Sequence, residues 1–294
     1  MQIGIDLGAT KIESVLLDNN GSELHRERVN SPKNYRDTIE SIKNVVNIIE
    51  KKFSKKFNVG VCHPGSINID TGLIQNATNS PWLNKMKFPE DISKSLNKKV
   101  LCENDANCFA LSESYDGSAK HYKIVFGVIL GSGCGGGLVI DKKILVGPNS
   151  LAGEWGHIGL PGDDKKRTIQ DCVSGKGLEK LYLAKFNKDI SAKEIFSKAR
   201  KKSSDDKDFI KDFLNNLGLS LSVIINAIDP DAIVFGGGVS NELESLENLK
   251  EITEQYLKSS SLKSINLRTV FLKPKYGDAS GVRGAALLGR KLIY

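Results

Sequence analysis

The hydrophobic pattern of the chain opens on a hairpin. An apolar run begins at Ile3, breaks at the small residues Gly8-Ala9-Thr10, and resumes after Lys11 through Leu17. The pattern returns in mid-chain. Ile124 to Leu130 is apolar, Gly131-Ser132-Gly133-Cys134-Gly135-Gly136 is a glycine-rich turn, and Leu138 to Ile140 is apolar again. Between the two hairpins, 23–29 predicts a strand. Ile39, Ile42, Val46, Ile49 and Phe53 fall at helical spacing and predict a helix over 35–53. Short strands are expected at 59–62 and 100–102, a short helix at 89–96, and helix again at 109–114. The stretch 66–88 is polar and turn-rich.

The second half repeats the outline. The segment 150–168 is irregular and ends in a charged loop, 163–167. A long helix is expected over 206–228, with Phe209, Phe213, Leu217, Leu221 and Ile224 on one face, stopped by Asp229-Pro230. A buried strand at 232–235 ends in Gly236-Gly237-Gly238, and a last strand near 269–272 leads to a closing helix. Two similar α/β domains around a central cleft are therefore expected. They divide as 1–118 and 119–281, with a hinge near 117–123 and the closing helix 282–294 packing back on the first.

Composition narrows the class. The chain has 294 residues, of which 39% are hydrophobic, and no apolar run long enough to span a bilayer. There is no charged-then-apolar leader, so a cytoplasmic location is expected. Five cysteines without a C-x-x-C pair read as free thiols rather than a zinc site. The net charge is +7, with a pI near 9.0. The basic runs, such as Arg200-Lys201-Lys202, carry no interleaved aromatics and read as solvated surface. No nucleic-acid recognition element accompanies them, and neither nucleic acid nor a membrane is expected as a partner.

Several groups could carry chemistry. Each glycine-rich turn points backbone N–H groups at one spot, which suits phosphate oxygens; the plain alternative is a turn without a ligand. Gly131 to Gly136 matches G-x-G-x-x-G after a strand, but a strand follows where a dinucleotide site needs a helix. No G-x-x-x-x-G-K-[ST] sequence occurs. Asp6, on the first strand, is either a carboxylate bonded to nearby backbone or the holder of a hydrated Mg²⁺, with Thr10 and Lys11 beside it. Glu103-Asn104-Asp105-Ala106-Asn107 follows a strand and precedes a helix. One residue there is a helix cap, and Asp105 is a candidate general base at a strand's carboxyl end. Glu154 and His157 could bind hydroxyl groups. Gly236 to Gly238 would let adenine or ribose approach the backbone; otherwise it is a tight turn capped by Ser240 or Asn241.

Together these segments resemble the ROK family of sugar kinases, of the actin and hexokinase-like (ribonuclease H-like) fold, over nearly the whole chain. Asp6-Leu7-Gly8-Ala9-Thr10-Lys11 resembles the first phosphate motif, with Ala9 where Gly is usual. Gly131-Ser132-Gly133 resembles the second, with Ser132 where Thr is common. Glu103 to Glu113 resembles the catalytic segment, 152–157 the sugar segment, Gly236 to Gly238 the adenosine turn, and 277–286 the C-terminal segment. Pro64-Gly65-Ser66-Ile67 and Asn79 to Asn84 look most like the bacterial fructokinase or mannokinase branch. The family's zinc-binding cysteine cluster is missing between Ile158 and Asp171, and Gln170 stands where a sugar-contacting Glu is usual.

The resemblance implies ATP and Mg²⁺, no structural zinc, and a homodimer. It implies transfer of phosphate to the 6-hydroxyl of a hexose, most readily fructose, with an N-acetylhexosamine (GlcNAc or ManNAc) or glucose as the alternative. Asp105 would be the base, and Asn104, Glu154, His157 and Gln170 would bind the sugar. A sugar-sensing pseudokinase is the rival of another class. The repressors of the family carry a helix-turn-helix ahead of the strand on which this chain opens.

Overall fold

The structure is a computed structural model that describes residues 1–201, 204–259 and 264–289. Lys202 of the basic run and the end of the predicted closing helix, 290–294, lie outside the described residues. The chain begins with β1 (Gln2–Leu7), β2 (Lys11–Leu17) and β3 (Glu23–Asn30), an antiparallel meander. Next come α1 (Tyr35–Lys52) and β4 (Asn58–His63), then the small pair β5 (Ser66–Ile67) and β6 (Ile74–Gln75). They are followed by α2 (Phe88–Leu96), β7 (Val100–Asn104) and α3 (Asp105–Tyr115). The sheet order is β3-β2-β1-β4-β7, with β4 and β7 parallel to β1.

The second sheet is built on the same plan. It uses β8 (Ile124–Leu130), β9 (Cys134–Ile140), β10 (Lys143–Leu145), β11 (Ala232–Gly236) and β12 (Val270–Leu272), in the order β10-β9-β8-β11-β12. Strand for strand this matches the first sheet, so the duplication expected from the sequence is present. Between β10 and β11 the chain inserts α4 (Ile169–Val173), α5 (Gly175–Phe186), α6 (Ala192–Arg200) and α7 (Ser204–Ile228). α8 (Leu246–Ser259) follows β11, and α9 (Ser280–Leu288) closes the described chain.

The residues fall into two compact units. One holds Met1–His121, Gly137–Ala152 and the chain from Asp278 onward; the other holds Tyr122–Gly136 and Gly153–Gly277. The segment 137–152 thus sits with the first unit, unlike the simple split read from sequence. Local contacts explain this. Lys142 Nζ donates to the carbonyls of Ser114 (2.5 Å) and Lys120 (2.6 Å), and Ser150 Oγ donates to Ile67 O (2.6 Å).

In the first unit the two faces of the sheet are covered differently. Ile3, Ile5, Leu7, Ile12 and Leu16 face Ile42, Val46 and Ile49 of α1 and Ile92 of α2, all fully buried or nearly so. The alternate residues Val15 and Leu17 pack on Val282 and Ala286 of α9. α9 approaches so closely that a methyl group on Gly4 would overlap the Val282 carbonyl. One on Gly60 would overlap the Ala285 carbonyl, and one on Gly284 the Cys108 carbonyl of α3. Only glycine permits this three-way contact of strand and helix backbones. α9 crosses this face of the sheet, with Gly281 at its start against Asp6 at the carboxyl end of β1 and Gly289 after its end against Gln2 and Asn58 at the amino ends of β1 and β4.

Candidate active site

Register lines up Asp6, Cys62 and Glu103 across the carboxyl ends of β1, β4 and β7. Asp6 is half-buried and lies opposite Glu13 of β2. Burial first, then the Asp105 carboxylate, push its carboxyl up to about 7; Glu13 adds to this, and a hydrogen bond from Cys62 opposes it. Glu13 itself is held by Arg26 (2.6 Å) and Arg28 (2.9 Å). The Cys62 and Cys108 thiols are buried and raised, chiefly by burial.

The segment Glu103 to Asn107 is a helix start. Asn104 caps α3: its side-chain oxygen accepts from Ala106 N (2.8 Å) and Asn107 N (3.4 Å), and its amide donates to Gly65 O (2.9 Å). The helix therefore begins at Asp105, four residues earlier than the apolar pattern predicted. Asn107 is carried inward because its amide donates to the buried Glu103 (3.0 Å). Asp105 is exposed, and its Oδ1 accepts from Ala106 N (2.8 Å), which sets the carboxylate's orientation.

The first glycine-rich turn is a four-residue reversal closed by Gly8 N donating to Lys11 O (3.0 Å). Thr10 and Lys11 are exposed, while Gly8 and Ala9 are half-buried. Sequence reading missed Lys33. Its ammonium donates to Ala9 O and lies 5.4 Å from the centre of the Trp82 ring. No local signal marks a lysine twenty-four residues downstream as part of this turn.

The first unit thus brings Asp6, Gly8, Ala9, Thr10, Lys11, Asn104 and Asp105 to one end of its sheet. Two acidic residues nearby have framework partners. Glu113 accepts from Ser118 N (2.9 Å) and from Ser280 Oγ (2.7 Å), and Asp116 pairs with Arg283 (2.8 Å).

The second unit gathers Gly131, Ser132, Gly133, Glu154, His157, Gln170 and Gly236 to Gly238. Trp155 is buried, edge-on to Phe126, and its indole N–H donates to Gly135 O (2.9 Å). That contact pins the short 3-10 turn Trp155–His157 beside β9 and leaves His157 mostly exposed, 3.6 Å from Glu154. Gly237 has φ +89°, and a side chain there would overlap Leu130 O. Val239 N donates to the same carbonyl (2.9 Å), so the glycine run is fastened to the end of β8. Neither Ser240 nor Asn241 caps a helix, although the tight-turn alternative required such a cap. A 3-10 turn, Ser240–Glu242, follows, and among the described residues the buried Ser240 hydroxyl has no hydrogen-bond partner.

The loop without cysteines is closed by protein contacts. Gly159 and Thr168 bridge, Ile169 N donates to Ile158 O (2.8 Å), and Asp163 pairs with Arg167. Among the described residues no group of three His, Cys, Asp or Glu side chains is placed to hold a metal ion. No described helix is long and apolar enough to cross a membrane.

Comparison with known proteins places this architecture. The ROK family profile matches residues 2–291. The N-acetyl-D-glucosamine kinase of Mannheimia succiniciproducens is 38% identical over 307 residues, covering 98% of this chain and 99% of that protein. That of Vibrio cholerae is 33% identical, covering 99% and 100%. The ROK hexokinase of Thermus thermophilus has the same fold, with TM-score 0.85 and 24% identity over 97% of this chain and 96% of that one. The chain belongs to the ROK family. Its enzyme class is that of an ATP-dependent sugar kinase. The expected closeness to fructokinases finds no support in these relatives, and fructose is withdrawn as the leading substrate.

Proposed function

We propose that this chain transfers the γ-phosphoryl group of ATP to the 6-hydroxyl of N-acetyl-D-glucosamine. The observation that carries the substrate is the set of relatives named N-acetyl-D-glucosamine kinase, 33–38% identical over essentially the whole chain. The geometry supports the reaction type.

Phosphoryl transfer rests on positioning and electrostatics rather than on covalent chemistry by the protein. In this reading Asp105 accepts the proton of the 6-hydroxyl as its oxygen attacks. Its exposed place at the first turn of α3 and its bond from Ala106 N suit that role. Asn104 has its amide committed to the helix cap and to Gly65, so it orients Asp105 and the loop after β4. Glu154 and His157 supply partners for sugar hydroxyls. The Gly8–Lys11 turn, whose Gly8 amide is spent on closing it, would receive phosphate oxygens on its remaining groups, as would the amides of Ser132 and Gly133, and Gly236 to Gly238 would receive adenosine.

The residues present fit Mg²⁺. Asp6 and Asp105 act on each other as like charges at one sheet end, an arrangement a divalent cation would relieve. Mg²⁺ there would neutralise triphosphate charge, with Asp6 holding its hydration shell. Cytoplasmic action as a homodimer completes the reading.

The test is an ADP-release assay with fructose, mannose, glucose, GlcNAc and ManNAc as acceptors. GlcNAc is expected to give the highest kcat/KM. A higher value for any other sugar overturns the substrate assignment. Bound ATP without ADP release from any sugar favours the sugar-sensing rival.

A further inference from the structure

Gln170 was expected to touch the sugar, but its carbonyl oxygen is used elsewhere. Gln170 Oε1 accepts from the backbone amide of Cys134 at 3.0 Å. A β-carbon on Gly133 would lie 3.0 Å from the same oxygen, so the side chain lies against the turn itself. Gln170 is in turn fixed by its helix. Ile169, Cys172 and Val173 of α4 are buried, and Thr168 and Asp171 close a reciprocal capping box at its start.

The rest of the turn is drawn back in the same direction. Gly131 O accepts from Gly175 N (2.8 Å) and Ser132 O from Lys176 N (3.2 Å), so the first amides of α5 are spent on turn carbonyls. Gly131 N donates to Gly133 O (3.0 Å). Two of the turn's four amides, those of Gly131 and Cys134, are thus used within the unit. Among the described residues no hydrogen bond takes the amides of Ser132 or Gly133, and both residues are exposed. The pattern sorts the amides of one turn into two that shape it and two that face outward.

We propose that Gln170, through its carbonyl oxygen, is a positioning residue of the nucleotide-binding turn. It satisfies the amide of the buried Cys134 and thereby holds Ser132 and Gly133 in the orientation that receives phosphate oxygens. A buried amide left without its acceptor is costly, so without Gln170 the turn rearranges. The inference rests on the kinase reading above for its ligand, but the contact to Cys134 can be read without any ligand.

The experiment compares wild type, Gln170→Met and Gln170→Glu in the full chain. Methionine keeps the length and removes the acceptor; glutamate keeps an acceptor for the Cys134 amide. Hydrogen exchange at Cys134 is measured without ligand, Kd for the ATP analogue AMPPNP by calorimetry, and KM for MgATP and GlcNAc by ADP release. Gln170→Met is expected to speed Cys134 exchange and to raise both the AMPPNP Kd and the MgATP KM roughly tenfold, the scale of one lost buried acceptor. The GlcNAc KM should stay within about twofold. Gln170→Glu should restore Cys134 protection and the nucleotide constants. A raised GlcNAc KM with unmoved nucleotide constants overturns the proposal, as does unchanged exchange at Cys134. If wild type phosphorylates no sugar, the kinase reading fails, and Cys134 exchange with AMPPNP binding still decides the role of Gln170.

Discussion

Replacing Asp6 by Asn should stabilise the protein at alkaline pH while abolishing turnover. The carboxyl of Asp6 is raised from 3.8 to about 7, first by burial and then by Asp105. A raised acid pKa means that the folded chain keeps its proton where the unfolded chain has lost it. Stability from this group is therefore complete below pH 4 and declines as pH rises toward 7. A shift of about 3 pH units corresponds to about 4 kcal/mol once both states are ionised, at about 1.4 kcal/mol per unit. Asn has nearly the same shape and never carries this charge. Urea unfolding of wild type and Asp6→Asn should show little difference at pH 4 and a gap in favour of the variant that opens above pH 4 and reaches about 4 kcal/mol at pH 8. Adding Mg²⁺ at pH 8 should narrow the gap, because only wild type offers the cation both the Asp6 and the Asp105 carboxylates. A variant no more stable than wild type at pH 8, or a gap independent of pH, refutes the reasoning. If Asp6 holds the hydrated Mg²⁺ as proposed, a gain in stability on removing its charge is the expected trade between ligand binding and folding.

Asp105→Asn should lower kcat roughly a hundredfold or more, the usual scale for a general base, with GlcNAc binding by calorimetry preserved. Turnover near wild type would remove Asp105 from that role. Gly284→Ala forces a methyl group into the Cys108 carbonyl and should cost roughly 3 kcal/mol of stability in urea unfolding, because neither helix backbone can yield. The loop 158–169 is closed by its ladder and the Asp163–Arg167 pair, so prolonged treatment with a strong zinc chelator should leave Tm unchanged; a fall in Tm would show a metal-dependent fold.

Much of the fold could be read from sequence because its signals are local. The hairpin turns, the helical spacing of α1 and α7 and the stop at Pro230 each lie within one window, and the structure has these elements close to where the pattern put them. The helices over 175–186, 192–200 and 246–259 lie outside the elements that the apolar pattern predicts. One local signal was available: Ser191 and Glu194 form a capping box at the start of α6. The early start of α3 was hidden because Asn107 is polar and buried, its amide answered by Glu103, so it breaks the apolar pattern without breaking the helix. At the site, residue types identified Asp6, Asp105 and both turns as candidates. Lys33 on Ala9 and Gln170 on Cys134 were beyond reach, since each contact joins positions more than twenty residues apart. Choice of sugar was not legible in the turns either. The motifs that handle phosphate say little about which hexose stands opposite, and here the whole-chain likeness to GlcNAc kinases outweighed the short segments that pointed to fructose.

The central claim is most directly tested by the identity of the product. Purified protein incubated with MgATP and GlcNAc should yield one new compound, a GlcNAc phosphomonoester, in step with ADP. Two-dimensional ¹H–³¹P NMR should couple its phosphorus to the two protons on carbon 6. Phosphate on any other oxygen, or ADP formed with free phosphate and unchanged GlcNAc, would contradict the account.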